Sequence, residues 1–251
     1  MQALKALFKL RQLDIRHNVL TAIHSFQSLV LPILMYGSEI WGPCLASKLE
    51  AGNFYSSMDS FPVETLNLKF CKFILGVKRN SANAAVRAEL GLRPLLLTIL
   101  AHSCKYWLRL VNFDSSSIVY KAYLQSYSTK GGWSSLIKNV WVLTDLPQLW
   151  TNHGTLKPKK DLRSLAERLI NIYDQSWLAH INKTENNKLR IYATFKNNLD
   201  MEPYLLFSTS VCQRSAFAKL RISDHKLAIE TGRHKSPRTP PNERFCSTCT
   251  L

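Results

Sequence analysis

Leu162-Arg163-Ser164-Leu165-Ala166-Glu167-Arg168-Leu169-Ile170-Asn171-Ile172-Tyr173-Asp174 is the stretch whose reading decides the fold class. Leu162, Leu165, Leu169, Ile172 and Tyr173 recur at helical spacing and line one face, while Arg163, Glu167, Arg168 and Asp174 fall off it. That is the 3.6-residue period of an amphipathic helix. The same period returns upstream in Val19, Ile23, Phe26 and Val30, and again in Leu66, Phe70, Phe73 and Ile74. The two-residue alternation of a strand is nowhere sustained. The expected fold is mainly α, a helical bundle followed by a second helical region and a short irregular C-terminal tail.

The helix stops set the organisation. Pro32 lacks a backbone donor and clashes with the preceding turn, so it ends or restarts the first long helix. Gly37 and Gly42-Pro43 bracket Ser38-Glu39-Ile40-Trp41, and Gly76 suits a left-handed C-terminal cap. Ser81 or Asn83 fits the start of a short helix ending at Gly91, and Pro94 suits the first turn of the next. Ser115–Ser117 and Ser126–Trp133 read as looser stretches. Asn152–Lys160, with Gly154, Pro158 and three lysines, reads as a linker, and Ser236–Pro241 as a second one. The expected division is a helical domain at 1–112, a connecting region and linker at 113–160, a basic helical region at 161–235, and a Pro-rich linker and tail at 236–251.

The charge narrows the partner. The chain of 251 residues carries a formal net charge of +16. The excess is diffuse: +2 over residues 1–43, +6 over 44–156, +7 over 157–235 and +1 over 236–251. Cations spread over folded elements suit a surface that tracks phosphates better than they suit a disordered arm. Nucleic acid is the first candidate partner and an anionic membrane the second. The longest apolar run, Leu29–Tyr36, contains Pro32 and is far too short to span a bilayer. Met1–Arg16 is amphipathic and basic in the manner of a transit peptide, but Asp14 and its helical continuation argue against that reading.

Catalytic signals are weak. Two-metal chemistry needs acidic side chains converging on two cations, and the closest pair, Asp200 and Glu202, reads as a solvated loop before Pro203. The sequence holds no G-x-S-x-G elbow, phosphate-binding loop or dinucleotide fingerprint. His17, His24 and His102 sit in helical patterns and read as surface or core residues, and Cys71 and Cys104 read as small core residues. The irregular cysteine spacings do not suggest a disulfide framework. Cys246 and Cys249 form a C-x2-C pair, half of a structural zinc site. His225 and His234 lie upstream across Pro237, Pro240 and Pro241, so any zinc held here is expected to bind weakly.

Lys188–His234 is the strongest candidate for nucleic-acid contact. Lys188, Arg190 and Lys196 alternate with Ile191, Tyr192 and Phe195. Arg214, Lys219, Arg221, Lys226 and Arg233 then follow in a helical pattern with Phe217, Leu220, Ile222, Leu227 and Ile229. One face can pack while the other presents cations, with Tyr192 placed to stack on a base. An ordinary amphipathic helix pair with a solvated basic face fits the same pattern.

These residues carry a family resemblance. Leu29-Val30-Leu31-Pro32-Ile33-Leu34-Met35-Tyr36-Gly37-Ser38-Glu39-Ile40-Trp41-Gly42 resembles the thumb segment of reverse transcriptases from non-LTR (LINE-type) retrotransposons. Phe70–Val77, Asn83–Val86, Glu89–Gly91 and Pro94-Leu95 are similar to the family's following stretches, in its order. Lys188–Tyr192, Phe195-Lys196, Glu202–Leu205, Leu220–Ser223, Ile229–Arg233 and Arg244–Cys249 resemble its C-terminal region. The resemblance implies a thumb and following helical region of an RNA-directed DNA polymerase, with RNA or an RNA–DNA hybrid as partner and a nuclear or cytoplasmic location. It also implies that the Mg-binding palm aspartates lie outside this chain, leaving it without catalytic residues or cofactor of its own. Cys246 and Cys249 match the first two ligands of the family's C-C-H-C zinc knuckle. The six tryptophans are expected in the core, with Tyr36 and Trp41 facing the palm. The competing expectation is a helical structural or protein-interaction module.

Overall fold

A computed structural model describes residues 2–13, 15–46, 57–129, 132–153, 156–183, 188–189, 191–207, 210–232, 235–237, 239–240 and 243–245. The described residues form helices and turns, with no strand among them. In chain order the α-helices are α1 (Gln2–Gln12), α2 (Val19–Leu29), α3 (Leu31–Met35), α4 (Ser38–Trp41), α5 (Pro43–Ala46), α6 (Pro62–Leu75), α7 (Asn83–Leu90) and α8 (Leu95–Leu110). They continue as α9 (Ile118–Ser128), α10 (Trp133–Leu143), α11 (Pro147–Thr151), α12 (Pro158–Ile181), α13 (Tyr192–Phe195), α14 (Val211–Arg221) and α15 (Ala228–Thr231). None of the described helices is long and apolar enough to cross a membrane.

The chain divides into two compact units that are discontinuous in sequence. The first comprises residues 1–13, 23–67 and 93–180; the second comprises 14–22, 68–92 and 181–251. This differs from the consecutive division expected from the linkers. The difference has a physical cause: side chains more than a hundred residues apart pair with one another and draw 68–92 to the C-terminal third.

In the first unit α8 is the central helix. Leu96, Ile99, Leu100, Ser103, Cys104, Trp107 and Leu108 give it a continuous buried face. The Glu64 carboxylate accepts the Leu96 N–H at 2.8 Å, so an anion meets one of the unpaired donors at the helix start. Helix α4 packs on α8, and Gly42 allows the approach. A Cβ there would meet Ile99 Cγ2 at 2.5 Å and Ser103 Oγ at 2.8 Å. Helix α10 packs on α5, α8, α9 and α11. Between them the Trp107 ring stacks on Trp150 at 5.2 Å and tilts against Trp141 at 5.5 Å. Trp107 also donates its N–H to the Tyr123 hydroxyl at 3.2 Å. Burial pushes the Tyr123 hydroxyl up to about 12. Leu165, Leu169, Tyr173, Trp177 and Ile181 form the buried stripe of α12, matching the periodicity of the opening segment.

Two local expectations are corrected. Asn152–Lys160 is not a free linker: Pro158 opens α12, with Lys159 and Lys160 in its first turn. Proline suits that position because its missing N–H has no partner to lose there. The Asp161 carboxylate accepts the Lys157 N–H at 2.6 Å and fixes the entry. Ser126–Ser128 belong to α9, where the Ser134 hydroxyl donates to the Ser126 carbonyl at 2.5 Å.

In the second unit α7 is buried on every side, from Ala84 to Leu90. It ends at Gly91, whose φ of 64° is left-handed. A Cβ on Gly91 would meet the Met201 backbone nitrogen at 2.6 Å, so the 200–202 segment lies directly against this cap. Neither Ser81 nor Asn83 caps α7. The N-cap is Ala82, without a side-chain bond, and the Ser81 hydroxyl is drawn to Asp224 instead. Ser210 and Gln213 form a reciprocal capping box that starts α14.

Candidate nucleic-acid interface

A buried ionic cluster organises the second unit. Glu89, on α7, is fully buried, and Arg221 Nε donates to both of its carboxylate oxygens at 3.0 Å. The Tyr204 hydroxyl donates to Glu89 Oε2 at 2.6 Å. Arg221 also pairs with Glu202 at 2.7 Å, and Glu202 in turn accepts Lys196 Nζ at 2.5 Å. Burial raises the Glu89 pKa above its ordinary value, opposed by the Tyr204 hydrogen bond and the Arg221 charge. Burial and the nearby Glu89 carboxylate push the Tyr192 and Tyr204 hydroxyls up as well.

The Arg221 guanidinium carbon lies 4.5 Å from the Phe195 ring centre, 5.7 Å from Tyr204 and 5.9 Å from Phe217. The expected solvated loop at Asp200 and Glu202 is therefore corrected in part. Asp200 is exposed, but Glu202 is an internal counter-ion.

Beside this cluster lies a cationic groove. A hollow of about 410 Å³ is lined by Gly76, Lys78, Ala216, Lys219, His225 and Lys226. A neighbouring hollow of about 170 Å³ shares Lys78 and Lys226 and adds Lys188. Asp224 stands between them, but its carboxylate is already committed. It accepts the Lys78 N–H at 2.8 Å and the Ser81 hydroxyl at 2.9 Å, and pairs with Lys78 Nζ at 3.4 Å. Among the described residues Lys188, Lys219 and Lys226 show no ion pair, so the walls present positive charge to solvent. His225 Nδ1 accepts the Leu227 N–H at 3.3 Å.

The structure sorts the residues singled out from sequence. Lys188, Lys219 and Lys226 come together at the groove. Tyr192 is buried with its hydroxyl on the Ala85 carbonyl at 3.4 Å, so its ring offers no face for a base. Lys196 is buried on Glu202 and the Asp200 carbonyl. Arg214 is buried, donating to the His17 carbonyl at 3.0 Å and to the Arg16 carbonyl, and burial lowers its pKa. Arg221 is held by its two carboxylates. Arg190, Arg233, Cys246 and Cys249 lie outside the described residues. Lys78 and His225 line the groove and carry no signal for nucleic acid in the sequence; both lie between helices, where helical periodicity is silent.

The pattern on α14 is inverted relative to expectation. Arg214, Ser215 and Ala218 face inward, while Phe217 and Leu220 face solvent. In the first unit Tyr36 is 86% exposed, whereas Trp41 is half-buried with its N–H on the Tyr36 carbonyl at 2.9 Å. His102, Lys105 and Arg109 line a hollow of about 180 Å³ in the same unit, with Glu39 at its edge.

Cys71 and Cys104 are in the core as expected, while Cys44 and Cys212 are exposed. Among the described residues no three His, Cys, Asp or Glu side chains are grouped to hold a metal ion. No family model, curated protein or solved structure matches the chain significantly.

Proposed function

We propose that this chain holds nucleic acid without regard to sequence, gripping the backbone of RNA or an RNA–DNA hybrid in the groove of the second unit. The observation that carries the reading is the convergence of Lys78, Lys188, Lys219 and Lys226 around Asp224, an acid whose oxygens are already taken. Asp224 therefore offers an entering phosphate no uncommitted oxygen, and Glu230, the other acid of the smaller hollow, is buried. Lysines act there as point charges that neutralise phosphate and release counterions, which gives affinity but no base readout. The resemblance to the thumb and C-terminal region of non-LTR reverse transcriptases supports the same role. In such an enzyme this portion would hold the template–primer while the palm aspartates and their Mg carry out polymerisation.

The test is fluorescence anisotropy with labelled RNA and an RNA–DNA hybrid over a series of salt concentrations. Affinity should fall steeply with salt. Lys188→Ala/Lys219→Ala/Lys226→Ala should reduce the log–log slope by roughly 2 to 3, at about 0.7–0.9 per phosphate contact. A salt-independent affinity, or a triple variant with an unchanged slope, refutes the groove.

A second reading is favoured by the first unit, where Tyr36, in the turn before α4, and Ile40, on α4, stand exposed. Such residues suit a protein contact, either with a palm domain or as part of an interaction module. Sedimentation of Tyr36→Ser/Ile40→Ser against the parent chain tests it: less self-association in the variant supports a contact face, and identical behaviour removes it.

A further inference from the structure

We infer that the rings of Phe195 and Phe217 stack on unpaired bases, making single-stranded nucleic acid the preferred ligand of the second unit. This rests on the groove reading and specifies its substrate class.

Phe195 and Phe217 are 44% and 46% exposed, large apolar surfaces left in water. They are also held in place. The Tyr192 ring meets Phe195 edge-on at 5.3 Å and 75°, and the Tyr204 ring meets Phe217 at 4.7 Å and 70°. Arg221 backs both rings, within 5.9 Å of each centre, and is itself fixed by Glu89 and Glu202. Rings fixed on one side and open on the other form a platform that loses little side-chain freedom when a base lands on it. Since Arg221 is neutralised by two carboxylates, the platform itself offers phosphate nothing. What it offers is flat aromatic area, which every base can use because every base has a π-face.

The placement selects single strands. Phe217 and Lys219 are two residues apart on α14, roughly 200° around the helix axis. A helix with its side chains is about 10–12 Å across. To reach both, a strand must pass around α14, a path open to a flexible strand of several nucleotides. A duplex keeps its bases stacked on one another and presents only its backbone.

Two measurements on the full chain test this. In anisotropy titrations, Phe195→Leu/Phe217→Leu should weaken binding of an unstructured oligouridine tenfold or more with the salt slope unchanged. Binding of an RNA–DNA hybrid should stay within twofold, and Phe195→Trp/Phe217→Trp should restore the single-strand affinity. In the unmodified chain, ultraviolet crosslinking of a bromouridine-substituted strand should give adducts at Phe195 or Phe217, whatever the fate of the leucine variant. Equal losses on both ligands, no loss on either, or adducts confined to the groove lysines would overturn the platform and leave the rings as a protein contact. Failure of the unmodified chain to bind either ligand overturns the groove, and this inference with it.

Discussion

Replacing Arg221 with Met should unfold the second unit selectively at neutral and higher pH. Arg221 is 16% exposed and is the ion-pair partner of Glu89, which is fully buried. Met keeps the packing of the aliphatic stem and removes only the charge. The Glu89 carboxylate would then retain the Tyr204 hydroxyl at 2.6 Å but no cation. Breaking one partner of a buried pair costs about 3–5 kcal/mol, and the residual exposure of Arg221 places this one near the lower end. Loss of the contacts to Phe195, Tyr204 and Phe217 adds about 0.5–1 kcal/mol.

The pH dependence separates these contributions. The Glu89 pKa is raised by burial above 4.5, so folding favours its protonated form. A group raised in this way contributes stability that is full below the unfolded pKa and is lost as pH rises through the folded one. Removing Arg221 takes away an influence that lowers this pKa, so the loss on raising pH must be larger in the variant. Near pH 4, Glu89 is largely protonated in both proteins, and the penalty should shrink to about 1 kcal/mol. Near pH 8 it should reach about 3–4 kcal/mol, a fall in melting temperature on the order of 10 °C or more for a unit of this size. All six tryptophans lie in the first unit, so unfolding is best followed by far-ultraviolet circular dichroism rather than Trp fluorescence. Glu89→Gln/Arg221→Met should recover at least half of the penalty at pH 8, because no buried charge is then left unpaired. A penalty equal at both pH values, or a double variant no better than the single, would refute the reasoning.

Two further outcomes follow from local geometry, both read as thermal stability. Gly91→Ala should cost more than Gly37→Ala although both residues have left-handed φ. The new Cβ meets the Met201 backbone at 2.6 Å in one case and only the Trp41 ring at 3.8 Å in the other; a difference of about 1 kcal/mol or more is expected, and equal costs would show that conformation alone decides. Glu64→Ala should destabilise α8 by about 1 kcal/mol through the lost acceptor for the Leu96 N–H, with Glu64→Gln recovering part of it; no loss would mean that the helix start finds another partner.

What was legible in the sequence was whatever depends on neighbours along the chain. The stripe of α12, the restart at Pro32, the left-handed cap at Gly76 and the helix end at Gly91 are set by local spacing and backbone geometry, and they stand where that spacing puts them. The capping box is equally local, since Ser210-x-x-Gln213 is its signature. The roles of Arg214 and Arg221 were not legible. An arginine on a helix face looks solvated until a carbonyl pair from residues 16–17, or a carboxylate on α7, is known to stand opposite. The same blindness affected Tyr192 and Phe195, which alternate with lysines in sequence yet end one buried and one exposed.

This sorting changes what the net charge of +16 means. A sum over residues treats Lys196, Arg214 and Arg221 as equal to Lys219 and Lys226. The first three are spent inside the second unit on carboxylates and backbone carbonyls, where their fields are cancelled at short range. Long-range attraction of a polyanion depends on cations whose counter-charge is mobile salt, because only those ions are released on binding. Lys188, Lys219 and Lys226 meet that condition, having no ion pair among the described residues, whereas Lys78 shares its charge with Asp224. The internal cations act one step earlier, since Glu89 and Glu202 bind Arg221 from α7 and from the segment after Lys196, and so assemble the framework on which the groove and the phenylalanine rings sit. Charge in this unit has two separable effects, one on stability with a pH signature and one on binding with a salt signature, and a variant that moved both together would contradict the division.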